Sequence, residues 1–144
     1  MKITVVNGPN LNLLGIREPD IYGKNTYKEL ESCIRKTSEE CGLECEIFQS
    51  NHEGELVDII QNTLGSSDGI IINAAAYTHT SIAILDALKA VALPAVEVHL
   101  TDTNARENFR KISYPALYCE KSFRGKGFES YREAICYMKE RMIK

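Results

Sequence analysis

A chain of 144 residues is the size of one domain with one substantial core. A hydrophobic fraction of 44% and a charged fraction of 26% are those of an ordinary globular protein and exclude a fibrous or disordered one. The formal net charge of −3 argues against a nucleic-acid binder, and no apolar run approaches the roughly 20 residues of a membrane span.

Met1 leads into an apolar run at residues 3–6, read as a buried strand, so no signal peptide is expected. Residues 7–23 then form a long loop rich in Gly, Pro and Asn that also carries Arg17 and Tyr22. Loops of this length are uncommon in compact domains and are usually lids or binding loops. Thr26 and Glu29 have capping-box spacing, and Tyr27, Leu30, Ile34 and Cys41 keep an apolar helical face up to Gly42. Residues 44–49 read as a short strand. Leu56, Ile59, Ile60 and Leu64 line a second helix, closed by Gly65. Residues 69–73 contain Ile70-Ile71-Ile72, a strand buried on both faces. Residues 81–92 form a third helix with Ile82, Leu85, Leu88 and Val91 inward. A strand at 95–98, a short helix at 105–110, a strand at 116–120 and a terminal helix at 131–142 complete the chain.

This alternation implies an α/β fold, a parallel sheet with helices on both faces. Five strands suit a flavodoxin-like three-layer sandwich of order 2-1-3-4-5, one domain over residues 1–144 with a lid loop at about 8–24. Ligands in such sheets bind beyond the carboxyl ends of the strands, at the switch point. The segments leaving strands one, three and four carry Asn10, Asn73, His79, His99 and Thr101, which therefore converge on one edge.

The five cysteines, Cys33, Cys41, Cys45, Cys119 and Cys136, are odd in number, and only Cys41 and Cys45 are close in sequence. That is neither a disulfide framework nor a zinc site, and it suits small buried residues in a reducing cytoplasm. Residues 1–98 carry 7 Lys/Arg and 14 Asp/Glu, whereas residues 99–144 carry 10 and 6. The basic C-terminal third suits a small anionic ligand or is solvated surface.

No Walker motif, GxGxxG, nucleophile elbow or well-placed Schiff-base lysine is present. What remains is general acid–base chemistry on a polar, anionic, hydroxylated small molecule. A Tyr acts as a base only as phenolate, which a nearby guanidinium favours, and Arg17 lies five residues before Tyr22. A His can protonate a leaving hydroxyl, and Asn10 can hold a water or donate to an enolate oxygen.

Four ordered blocks span nearly the whole chain. They are Asn7-Gly8-Pro9-Asn10-Leu11 with Leu14-Gly15, Arg17-Glu18-Pro19 and Tyr22-Gly23; Gln49 through Glu55; Asn73 through Ser81 with Asp86-Ala87; and Glu97-Val98-His99-Leu100 with Ala105-Arg106-Glu107 and Phe109-Arg110. Together they resemble the type II 3-dehydroquinate dehydratases. The resemblance implies that Tyr22, as phenolate, removes a proton beside the ketone of 3-dehydroquinate. Arg17 favours the phenolate and helps close the lid, and Asn10 positions a water against the enolate. His99 protonates the departing hydroxyl, giving 3-dehydroshikimate by anti elimination, a step of the shikimate pathway of aromatic amino acid biosynthesis. Asn73, His79 and Arg110 bind substrate hydroxyls, and Leu100 and Thr101 bind its carboxylate. Asp86 reaches in from a neighbouring subunit of a homododecamer built from trimers. Glu97 and Arg106 orient neighbours. No metal or organic cofactor, nucleic acid or membrane partner is implied.

The chain departs from the family's usual residues at Ala75 (often Gly), Leu85 (often Arg), Thr101 (usually Ser) and 102–104. Residues 118–124 are more polar than the usual apolar strand and Gly-rich turn. None of these removes a proposed catalytic group.

Taken singly, each residue has a plainer reading. Tyr22 is a packing residue, His79, His99 and His52 are structural histidines, and Arg106, Arg110 and Asp86 are solvated charges. Asn10 and Asn12 serve turn geometry. A noncatalytic flavodoxin-like binding module for a small anionic ligand would use Asn10, Asn73 and Thr101 without an ionised Tyr22. An assembly protein that kept the scaffold and lost activity is a third reading.

Overall fold

The computed structural model describes residues 1–144. Five parallel strands, β1 (Lys2–Asn7), β2 (Glu44–Gln49), β3 (Gly69–Asn73), β4 (Ala95–His99) and β5 (Ser122–Arg124), form one sheet of order β2-β1-β3-β4-β5. The helices are α1 (Pro19–Tyr22), α2 (Tyr27–Glu40), α3 (Glu53–Gln61), α4 (Ile82–Val91) and α5 (Phe128–Ile143). This is the expected flavodoxin-like order.

The central strands explain themselves through burial. β3 and β4 are buried at every residue, so their apolar runs need no alternation, whereas β2 alternates exposed and half-buried residues at the sheet edge. Ile3, Val5, Ile71, Val96 and Val98 point to one face, against Leu30 and Ile34 of α2 and Tyr131, Ile135 and Met138 of α5. Val6, Ile70, Ile72 and Ala95 point to the other, against Leu56 and Ile60 of α3 and Ile84, Leu88 and Val91 of α4. Helix starts follow capping chemistry: Glu29 N–H donates to Thr26 Oγ1 at 3.2 Å and Ile84 N–H to Ser81 Oγ at 3.0 Å.

Several local expectations are corrected. The fifth strand lies at Ser122–Arg124, and residues 115–117 form a 3-10 turn that Pro115 opens. The chain reaches β4 only where Glu120 N–H meets Ala95 O (2.8 Å) and Lys121 O receives Glu97 N–H (3.0 Å). The helix expected at 105–110 is two 3-10 turns, Thr103–Ala105 and Asn108–Arg110, interrupted at Arg106 by extended backbone. Asp102 Oδ1 accepts Asn104 N–H at 3.0 Å, holding the first turn locally instead of feeding a helix. α3 stops at Gln61, which leaves Leu64 60% exposed, and Ile82 is 55% exposed at the start of α4. The terminal helix begins three residues earlier than expected.

None of the cysteines is fully buried: Cys136 is exposed and the other four are half-buried. The tertiary fold brings Cys41 Sγ within 3.8 Å of Cys136 Sγ, a proximity that sequence spacing hides. No helix is long and apolar enough to cross a membrane.

Candidate active site

In the β1–β3 register Asn7 pairs with Asn73, so both strands end together at the switch point. There the chain must turn closely. A Cβ on Gly8 would lie 2.5 Å from Ala74 O, which leaves room only for glycine. Beyond these strand ends, and beyond β4, lies a cleft of about 510 Å³ that opens to solvent.

Nine of the ten residues singled out from sequence line it: Asn10, Arg17, Tyr22, Asn73, His79, His99, Leu100, Thr101 and Arg110. Asp86 does not; it is exposed on α4, away from this chain's cleft. Thr103, Arg106 and Ala75 also line the cleft.

Tyr22 sits at the end of α1, inside the 8–24 loop. Arg106 Nη1 donates to its phenolic oxygen at 2.8 Å, and the Arg17 guanidinium lies over its ring, 4.6 Å from the centroid. The direct donor is therefore Arg106, given only an orienting role from sequence, and Arg17 stacks on the ring face. Both guanidinium groups lie close to this one ring, with the Arg106 guanidinium carbon 5.2 Å from its centroid.

The base of this loop is braced from β2. Gln49 Nε2 donates to Gly8 O (3.1 Å) and to Asn51 Oδ1 (3.1 Å), and Asn51 Oδ1 also accepts Asn10 N–H (3.0 Å). That gives residues 49–51 a structural purpose. Asn10 itself adopts left-handed backbone, φ 68°. His52 is the residue before α3; its backbone N–H donates to Ser50 Oγ at 3.0 Å and its ring makes no capping bond.

His99 is built into the sheet as the last residue of β4. Its Nε2 lies 3.2 Å from Glu97 Oε2. Burial raises the Glu97 carboxyl, but His99 and the Ser122 and Ser113 hydroxyls outweigh it and bring the group down to about 2. A carboxylate only accepts, so His99 Nε2 carries the proton and Nδ1 is the nitrogen left free of that bond.

His79 Nδ1 meets Ile112 O at 2.6 Å. Burial is the main force lowering the His79 pKa, and the charges of His99 and Arg110 add to it against the Ile112 hydrogen bond. The neutral ring donates through Nδ1, which leaves Nε2 as an acceptor.

Asn73 is held from beneath. Its Nδ2 donates to Tyr131 Oη at 2.9 Å, Tyr131 Oη donates to Asn7 Oδ1 at 2.7 Å, and Asn73 Oδ1 accepts Ala75 N–H at 3.1 Å. Tyr131 is completely buried, and burial pushes its phenol up. Ala75 has φ 51°, so the methyl group at this departure carries backbone strain beside the cleft.

No three His, Cys, Asp or Glu side chains cluster as metal ligands. Chemically, the cleft offers a phenol in contact with two cations, an imidazole on a buried carboxylate, and amide and hydroxyl groups. Sequence reasoning passed over Tyr131 and Thr103. Tyr131 looked like any apolar position of an amphipathic helix, and no local signal marks its hydroxyl.

The profile of the family described as dehydroquinase class II matches residues 1–139. A 3-dehydroquinate dehydratase of Sulfurimonas denitrificans is 53% identical over 138 residues, which cover 96% of this chain and 86% of that protein. One from Caldicellulosiruptor saccharolyticus is 53% identical over 140 residues, 96% and 97% of the two chains. Among solved structures, the type II dehydroquinase of Butyrivibrio crossotus superposes with a TM-score of 0.94 at 46% identity, covering 97% of each chain. That of Propionibacterium acnes gives 0.92 at 35% identity, covering 96% of each.

Proposed function

The chain belongs to the class II dehydroquinase family and is a hydro-lyase, a 3-dehydroquinate dehydratase, and from that premise we propose how its residues carry the reaction. The observation that carries the reading is the 2.8 Å hydrogen bond from Arg106 to the Tyr22 oxygen, with Arg17 over the same ring. A guanidinium donor places a positive charge and a hydrogen bond at that oxygen, the atom that is to take the proton.

Tyr22 removes a proton from the carbon beside the ketone of 3-dehydroquinate, and the electron pair moves into an enolate. Asn10 holds a water against the enolate oxygen. His99, as the imidazolium, keeps Nε2–H on Glu97 and gives its Nδ1 proton to the departing hydroxyl as the enolate collapses, so one water leaves and 3-dehydroshikimate forms by anti elimination. His79 accepts a substrate hydroxyl at Nε2, and Asn73 and Arg110 bind others. The carboxylate rests on Leu100 and Thr101, where the loop leaves β4. The 8–24 segment serves as the lid of a single catalytic domain.

We further assign the chain to the shikimate pathway of aromatic amino acid biosynthesis, in a cytoplasm whose reducing conditions suit its five thiols. A homododecamer of trimers would let Asp86 complete a neighbouring site. The exposure of Asp86 and of Ile82, one turn apart on α4, supports a contact face there.

The test is the ultraviolet absorbance of the conjugated enone product when protein meets 3-dehydroquinate, with Tyr22→Phe as control. A signal that Tyr22→Phe removes supports the mechanism. A signal unaffected by that change keeps the reaction and removes Tyr22 as its base.

A further inference from the structure

β5 is a polar edge strand, Ser122-Phe123-Arg124, lying against the strand that carries Glu97 and His99. In the register Glu97 pairs with Ser122 and His99 with Arg124. Phe123 turns to the α2/α5 core, so Ser122 and Arg124 share the face of Glu97. The consequence is a carboxylate with two partners on each oxygen. Oε1 receives the Ser122 hydroxyl and Arg124 Nη2 (3.4 Å); Oε2 receives the Ser113 hydroxyl (2.7 Å) and meets His99 Nε2 (3.2 Å). Any rotation of the carboxylate breaks several bonds at once, and Glu97 is 1% exposed, so water cannot replace them.

Arg124 does more than pair with Glu97. Its Nη1 donates to Thr103 Oγ1 at 3.2 Å, and Thr103 lines the cleft. The turn that follows also packs on the same segment. Gly125 N–H donates to His99 O at 3.3 Å, and at φ 85° its Cβ position would meet Asp102 Cβ at 3.3 Å.

We propose that Arg124 is a positioning residue for the dehydration, a guanidinium that ties the carboxylate behind His99 to Thr103 in the cleft wall and so fixes the imidazole against the leaving hydroxyl. The proposal rests on the reading of His99 as the proton donor. The other titratable groups around the pair are His79 on the 3-10 turn Ala75–His79, with Arg110 beside it, and Cys119 in the connection to β5. Arg124 is the cation whose guanidinium contacts the Glu97 carboxylate. A planar fork suits one guanidinium bridging two acceptors, which an ammonium reproduces in charge but not in geometry.

The experiment compares wild type, Arg124→Gln and Arg124→Lys in full pH–rate profiles, with thermal midpoints alongside. Arg124→Gln is expected to lower kcat about tenfold with KM nearly unchanged. It also moves the alkaline limb of kcat/KM to higher pH, because removing a cation from beside the pair makes protonation of the imidazole easier. Arg124→Lys keeps the limb in place and restores only part of kcat. Superimposable profiles and equal kcat for the folded variants, whatever their thermal midpoints, would overturn the proposal. An NMR titration of the His99 imidazole in the substrate-free protein separates this result from the assigned reaction. A midpoint raised in Arg124→Gln supports the clamp even if wild type fails to turn over 3-dehydroquinate, and an unmoved midpoint removes the clamp even if it succeeds.

Discussion

The two halves of the cleft are built in opposite ways. His99 ends a fully buried strand, and its partner Glu97 is satisfied on both oxygens by β4 and β5 and the connection between them. Tyr22 sits on a long loop, and its partners come from that loop and from the 3-10 segment after β4, 84 residues away for Arg106. The His99 side is fixed by the sheet itself. The Tyr22 side joins two segments that both lie outside the sheet. A general base on a loop can open for substrate, whereas an imidazole on a strand keeps its aim throughout.

The strongest way to break this comparison is at Tyr22. Tyr22→Phe should reduce kcat on the order of a thousandfold while leaving the thermal midpoint unchanged, because the half-buried hydroxyl belongs to no core network. A large loss of stability in a melting curve would mean that the loop is structural. Arg106→Gln comes next. It removes the cation on the phenolic oxygen and should cost about a hundredfold in kcat, again with little change in unfolding. Arg17→Gln should cost less, since it loses only a stacking cation, and if the order of the two variants reversed in steady-state kinetics, Arg17 would be the group that matters.

On the His99 side the same kind of change should strike stability as well as rate. Glu97→Gln should lower kcat by about thirtyfold through a misdirected imidazole and should also lower the denaturation midpoint. The pH dependence has a definite sign. The folded-state carboxyl, at about 2, lies below its ordinary 4.5. Its contribution to stability is therefore complete above 4.5 and is lost as pH falls from there towards about 2. Urea midpoints followed across that window should show a wild-type loss that Glu97→Gln lacks; parallel curves would place the acid sensitivity elsewhere. The smallest effect is expected at Ala75→Gly. Relief of the φ 51° strain outweighs the extra freedom of glycine in the unfolded chain, for a gain of about 0.5 kcal/mol at unchanged m-value. A loss would show that the Ala75 methyl packs better than it strains.

Much of this was legible in the residues. Ile70-Ile71-Ile72 announces a strand buried on both faces, and Thr26 and Ser81 announce helix starts, because these signals act within a few residues of themselves. The convergence of Asn10, Asn73, His79 and His99 followed from alternation and strand order alone, since the carboxyl ends of parallel strands share one edge. The fifth strand was not legible. Ser122 and Arg124 look like surface residues until the register sets them against Glu97, and Pro115 with its apolar followers reads locally as more strand-like than it is.

The sequence by itself determined the layer architecture and nine of the residues that line the cleft, through periodicity, turn chemistry and matched blocks, while the strand order was the one such alternation suits and the sheet displays. The tertiary structure decided the partners: Arg106 rather than Arg17 on the Tyr22 oxygen, Tyr131 beneath Asn73, and Arg124 behind Glu97. The reason is range. Backbone propensity and hydrophobic spacing are set by near neighbours in the chain, whereas a hydrogen bond between side chains 84 or 58 residues apart exists only once packing has fixed both ends.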